Sequence, residues 1–134
     1  MFKIPVSLLH KLKVGIIYLF GSQLKGNITS MSDIDLGIVF TDPDVLKDSL
    51  KVYSELYLLF SRIKSPLFLD REMDIVFLQK ASVTLQFEVV TRGRVLYEIS
   101  SKFRADYAED VLRKYLDFKP LLDEMDKVCL EFFL

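Results

Sequence analysis

Two aspartates one residue apart, a glycine-serine pair upstream of them and a third acid far downstream carry the chemistry that this chain can offer. Gly21 and Ser22 end an apolar run, Val14 to Phe20, and after ten intervening residues comes Asp33-Ile34-Asp35, which leads into a second apolar run, 36–40. Both runs are short, apolar and rich in β-branched or aromatic residues, as buried strands are. Side chains alternate along a strand, so Asp33 and Asp35 share one face while Ile34, Leu36, Ile38 and Phe40 share the other. Paired carboxylates in a strand repel each other, and aspartate is disfavoured there, so a purely structural role fits them poorly. A divalent cation relieves the repulsion. Magnesium suits hard oxygen ligands, taking one or two carboxylates and filling its other positions with water and phosphate oxygens. The Gly21-Ser22 bend, with free N–H groups behind it, can cradle an anion. Metal on one side and phosphate on the other point to a nucleoside triphosphate site.

Two other phosphate or metal motifs fail on the same residues. Gly21 and Gly26 have the glycine spacing of a P-loop, but Asn27-Ile28 stands where Lys followed by Ser or Thr is required. Asp33 to Gly37 begins like a calcium loop, yet Gly37 occupies a ligand position and Ile38 the place of the turn glycine. The third acid is Asp74. In a strand over 72–78 it shares a face with Glu72, Val76 and Leu78, while Met73, Ile75 and Phe77 face the other way. If that strand lies beside Asp33 and Asp35, Asp74 completes a carboxylate trio; Glu72 and Asp70 are its rivals.

The elements that must position these acids follow from spacing. Pro5 opens a short helix to about Leu12, with Val6, Leu9 and Leu12 or Leu8 inward and His10 on the surface. Asp42-Pro43 caps and starts a helix to about Arg62, with Leu46, Leu50, Tyr53, Tyr57 and Phe60 as its apolar stripe, widened by Val52, Leu56 and Leu59. A helix over 81–91 has Val83, Phe87 and Val90 inward, with Gly93 as its stop. A fourth strand spans 94–99, and Arg92 and Arg94, which bracket Gly93, read as surface charges, with phosphate contact at a cleft rim as the alternative. Ser100 or Ser101 caps a last helix with Phe103, Tyr107, Val111, Tyr115 and Phe118 in line, which Pro120 kinks or ends. From Leu121 an apolar stripe continues to the last residue, and this tail either folds onto its own core or docks on a partner or a second copy.

Composition sets the bounds. The 134 residues suit one domain, 51% are hydrophobic, and 11 are Phe, rich enough to suggest that some apolar surface meets a partner. With 18 Lys and Arg against 19 Asp and Glu there is no basic excess, so direct nucleic-acid binding is not expected. Cys129 is the only cysteine and His10 the only histidine, which excludes an internal disulfide and leaves a zinc site short of ligands. No signal peptide or spanning helix is visible, and a soluble cytoplasmic protein is expected.

Gly-Ser-x10-Asp-x-Asp, with Gly26 inside it and Ser32 directly before the first acid, resembles the DNA polymerase β-type nucleotidyltransferase superfamily. Size and element order most resemble its minimal nucleotidyltransferase (MNT) branch, the antitoxins paired with HEPN-domain toxins. The resemblance implies an α+β fold with a small mixed sheet of about four strands and helices packed on one face. It implies one nucleotidyltransferase domain over 1–134 with a C-terminal helical extension from about 101. It also implies that Asp33 and Asp35 hold two Mg2+ ions and position ATP, that Asp74 binds the metal at the acceptor hydroxyl, and that Gly21 and Ser22 hold the β- or γ-phosphate. The implied reaction moves AMP from ATP to a hydroxyl, a tyrosine by expectation, on a HEPN toxin, which is thereby silenced. Read from the residues alone, the oily tail is expected to support a homodimer or hetero-oligomer through the C-terminal helix. The alternatives are a noncatalytic antitoxin acting by occlusion and an aminoglycoside-type transferase acting on a small molecule.

Overall fold

The computed structural model describes residues 5–21, 34–63 and 72–133, with side chains through Cys129. Ser22, Asp33 and Asp70, named above for the site, lie outside the described residues. Strands β1 (Val14–Phe20), β2 (Ile34–Phe40), β3 (Met73–Phe77) and β4 (Arg94–Glu98) form one sheet in the order β3-β2-β1-β4. β1 pairs antiparallel with β2 and β4, whereas β2 and β3 are parallel. The two central strands are the most apolar, because both of their faces are covered. A parallel neighbour cannot be reached by a tight hairpin, and the chain between β2 and β3 carries the helix α2 (Ser49–Ser61).

The sheet is mixed and four-stranded, as expected, but its helices cover both faces instead of one. Alternation divides the strand residues between two cores. Ile17, Leu19, Ile34, Leu36, Ile38, Phe40 and Ile75 pack with Leu9 of α1 (Val6–Lys11) and with Val52, Leu56, Leu59 and Phe60 of α2. Ile16, Tyr18, Val39 and Leu78 pack on the other side with Val89 of α3 (Val83–Arg92), joined by Phe103 and Tyr107 of α4 (Ser101–Phe133). A bulge at Gly15 shifts the β1 register, and the Phe103 ring lies over that glycine, 2.4 Å from where a Cβ would stand.

Caps fall where short polar side chains precede the helices. Asp42 Oδ1 accepts from Asp44 N at 3.0 Å, Ser82 Oγ from Leu85 N at 3.1 Å and Ser100 Oγ from Phe103 N at 3.0 Å. The Asp44 backbone N–H, and then Lys13, hold the Asp42 carboxyl below its usual range. The turn opened by Pro43 is a 3-10 helix, Pro43–Asp48, before α2 begins.

Three expected faces differ. In α2 the buried set is Val52, Leu56, Leu59 and Phe60, while Leu50 is 78% exposed and Tyr57 lies at the surface. Two overlapping stripes were available, and the one with aliphatic residues at 52, 56 and 59 turned toward the sheet. In α3 the fully buried residue is Val89, and Phe87 stacks on Tyr115 of α4 with ring centroids 3.8 Å apart. In α1, Leu9 is buried but Val6 is exposed. Pro120 does not end α4, which continues to Phe133. Gly93 does stop α3, though not through a left-handed backbone: its φ is −72°, and a Cβ there would stand 2.4 Å from Val89 O.

Candidate active site

The site lies at the end of the sheet where β1 finishes and β2 and β3 begin. Phe20 pairs with Asp35 across the antiparallel ladder, and Asp35 pairs with Asp74 across the parallel one. Neighbouring strands run about 4.8 Å apart, so the two acids are lateral neighbours. They also share a face. Ile34 and Leu36 flank Asp35 and point into the α1–α2 core, as do Met73 and Ile75 around Asp74, so both carboxylates rise on the opposite side, that of α3 and α4. Asp35 is half-buried and Asp74 exposed. The register is anchored just outside the ladder by Ile34 N donating to Glu72 O at 2.9 Å.

Gly21 is the third element. It follows β1 directly with φ +86°, a left-handed conformation that glycine adopts without penalty. The Asp35 carboxylate leans over it so closely that a Cβ on residue 21 would fall 2.0 Å from Oδ2. The glycine therefore serves two purposes: it turns the chain, and it leaves room for the acid.

Among the described residues, no cluster of three or more His, Cys, Asp or Glu side chains suitable for a metal is found. Of the acids in the expected trio, Asp35 and Asp74 are brought together, and Asp33 lies outside the described residues. Two adjacent carboxylates beside an open glycine bend match the one or two protein ligands that magnesium takes. Glu72, a rival to Asp74, is exposed and lies just before the β3 ladder. Arg94 pairs with Leu19, a residue of the α1–α2 core, so it stands on the opposite face from the acids; Arg92 and Arg94 are both exposed.

Sequence reasoning missed a polar group on the acids' face. Tyr107 Oη donates to Gln86 Oε1 at 2.8 Å, and Gln86 Nε2 donates to Ala81 O at 3.0 Å. Burial pushes the Tyr107 phenol far above its usual value, with Tyr18 and Asp110 adding to the shift. Tyr18 is also raised by burial, against an opposing pull from Arg104, which pairs with Glu98. The tyrosines sat in apolar runs and read simply as core; only Gln86, a polar residue on an otherwise apolar helix face, signalled a partner.

Gln79 was missed as well. Its amide accepts from Phe40 N at 2.8 Å and donates to Phe40 O at 2.9 Å, extending the β2 ladder by one rung where β3 has ended.

Comparison with known proteins bears on the fold and the family. The chain resembles the solved structure of a toxin-antitoxin with AMP-PNP at 25% identity and a TM-score of 0.66, with 96% of this chain and 95% of that one covered. It resembles a MntA-HpeT toxin-antitoxin mutant at 22% identity and a TM-score of 0.62, over 96% and 95%. A tri-AMPylated Shewanella oneidensis HEPN toxin in complex with MNT antitoxin gives 24% identity and a TM-score of 0.55, over 96% and 92%. No curated protein sequence matches significantly. The family model of the polymerase beta nucleotidyltransferases matches residues 3–102, three quarters of the chain and every strand of the sheet, and the chain belongs to that family.

Proposed function

We propose that this nucleotidyltransferase transfers AMP from ATP to a hydroxyl, a tyrosine by preference, of a HEPN toxin, and so acts as the antitoxin of the pair. The observation that carries this reading is the lateral pairing of Asp35 with Asp74 beside the left-handed Gly21. The structural neighbours support the nucleotide and the partner: one is solved with AMP-PNP, another with a tri-AMPylated HEPN toxin. The likeness covers nearly the whole of both chains, so one domain over 1–134 with a helical extension from about 101 is the proposed unit. No helix among the described residues is long and apolar enough to cross a membrane; a cytoplasmic setting is part of the proposal.

In this reaction the acceptor oxygen attacks the α-phosphorus in line. The bond to the bridging oxygen breaks, and pyrophosphate leaves with that electron pair. The hydroxyl proton passes to the Asp74 carboxylate or to water. Asp33, Asp35 and Asp74 would hold magnesium, which would neutralise charge on the attacking and leaving oxygens. Asp35 and Asp74 fit that role in the chemistry of their oxygens and in their shared face. Gly21 and Ser22 would present backbone N–H groups and a hydroxyl to the β- or γ-phosphate. The protein's share is alignment and electrostatics, which a small sheet with acids on neighbouring strands can provide.

The test is incubation of the chain with labelled ATP, magnesium and the co-encoded partner protein. Label on the partner, lost in both Asp35→Asn and Asp74→Asn, is the expected result. A tight complex without label would replace the proposal with occlusion; label on an aminoglycoside without any partner would replace it with small-molecule transfer.

A further inference from the structure

Past Tyr115 the last helix outruns its support. Among the described residues α4 packs mainly on α3, β1 and β4, and the Phe87–Tyr115 stack is its outermost aromatic contact. The apolar spacing nevertheless continues unbroken: Val111, Tyr115, Phe118, Leu122, Met125 and Cys129 alternate steps of four and three. That seven-residue repeat is the pattern of a helix that pairs with another helix along one seam. Val111 is buried in the body and Phe118 and Leu122 are half-buried, but Cys129 is exposed, Met125 is 54% exposed, and Leu121 and Val128 beside the seam are 54% and 58% exposed. Pro120 sits on the side of the helix away from the seam, where its bend leaves the apolar line continuous.

We propose that this seam pairs antiparallel with the same segment of a second copy of the chain. Charge selects both the partner and the direction. Antiparallel layers set Leu122 against Met125 of the second copy and Phe118 against Cys129. One rim then brings Lys119 opposite Asp126 of the second copy, twice by symmetry, and the other brings Leu121 opposite Val128. Parallel pairing would instead oppose Lys114 to Lys119 and Leu121 to Asp126. The ion pairs within α4, Lys102–Asp106, Arg113–Glu109 and Lys114–Asp110, all lie before residue 115, and Lys119 and Asp126 take part in none of them.

Mass measurement by light scattering on the full chain, without any other protein, reads the proposal directly. The expected mass is twice 15.6 kDa. Lys119→Asp weakens the dimer about tenfold by turning two attractions into repulsions, and adding Asp126→Lys restores it. Phe118→Cys, facing Cys129 of the second copy, yields a covalent dimer on mild oxidation, whereas the unsubstituted chain yields none. A chain that remains at 15.6 kDa at tens of micromolar overturns the proposal, as does a dimer formed only with the co-encoded protein. Crosslinking through Cys129 alone overturns it in favour of the parallel arrangement. None of these readouts depends on nucleotide transfer, so they stand or fall apart from the proposed activity.

Discussion

Gly21→Ala tests the geometry of the site most sharply, because it puts a methyl group in place of a hydrogen where the structure leaves no space. The first cost is conformational: at φ +86° an alanine is strained by about 1–2 kcal/mol relative to glycine. The second is steric. The new Cβ would stand 2.0 Å from Asp35 Oδ2, whereas ordinary contact begins near 3.4 Å, so one of the two must retreat by 3.4 − 2.0 = 1.4 Å. A retreat of the carboxylate takes a proposed metal ligand out of place. A displacement of about 1 Å in a positioned group can lower a rate about a hundredfold. The expected result is a folded protein, melting several degrees lower, whose AMP transfer to the partner protein falls by roughly two orders of magnitude. Gly15→Ala serves as the control, since it collides with the Phe103 ring away from the acids and is expected to cost about 1–3 kcal/mol of stability with transfer retained in the folded fraction. Full transfer by Gly21→Ala, or an equal loss in both variants at matched folded fraction, would refute the reasoning.

Other outcomes are expected on the same basis. Asp74→Asn should lower transfer at least about a hundredfold while shifting the melting temperature little, because the side chain is exposed; metal chelation should stop transfer in the unsubstituted chain. Gln79→Leu removes both bonds to the Phe40 backbone and should cost about 1–3 kcal/mol in a denaturant titration, since a part-buried N–H and C=O lose their partners. A double-mutant cycle of Phe87→Ala and Tyr115→Ala should give a coupling of about 0.5–1.5 kcal/mol. Burial raises the Tyr107 and Tyr18 phenols in the folded state, so the stability they contribute is complete below the unfolded value near 10 and is lost as pH rises past it. Alkaline unfolding followed by circular dichroism should accordingly be shallower in Tyr107→Phe.

What the sequence made legible was local. The limits of β1, the inward set Ile34, Leu36, Ile38 and Phe40, the caps at Asp42 and Ser100 and the shared face of Asp74, Val76 and Leu78 all follow from alternation or from a short polar side chain before a helix. The meeting of Asp35 with Asp74 needed one long-range fact, that β2 and β3 are neighbours, and periodicity cannot supply it. Likewise α2 carried two overlapping apolar stripes, and only the shape of the sheet decided that Leu56 would be buried and Leu50 not. The Gln79 bridge to Phe40 joins residues 39 apart and has no local signature. That helices cover both faces could have been read from β1 and β2, whose residues are apolar on both sides, a pattern that demands two covers.

The pairing of β2 with β3 has a further consequence. A slip of one residue between these strands would turn Met73 and Ile75 out toward water and carry Asp74 into the oil beneath. The greasy residues thus act as alignment marks for the polar ones. Substitutions that keep Ile34, Leu36, Met73 and Ile75 apolar can drift freely in shape without ever separating the two carboxylates, whereas one charge among them would misalign the acids while leaving each in the sequence untouched.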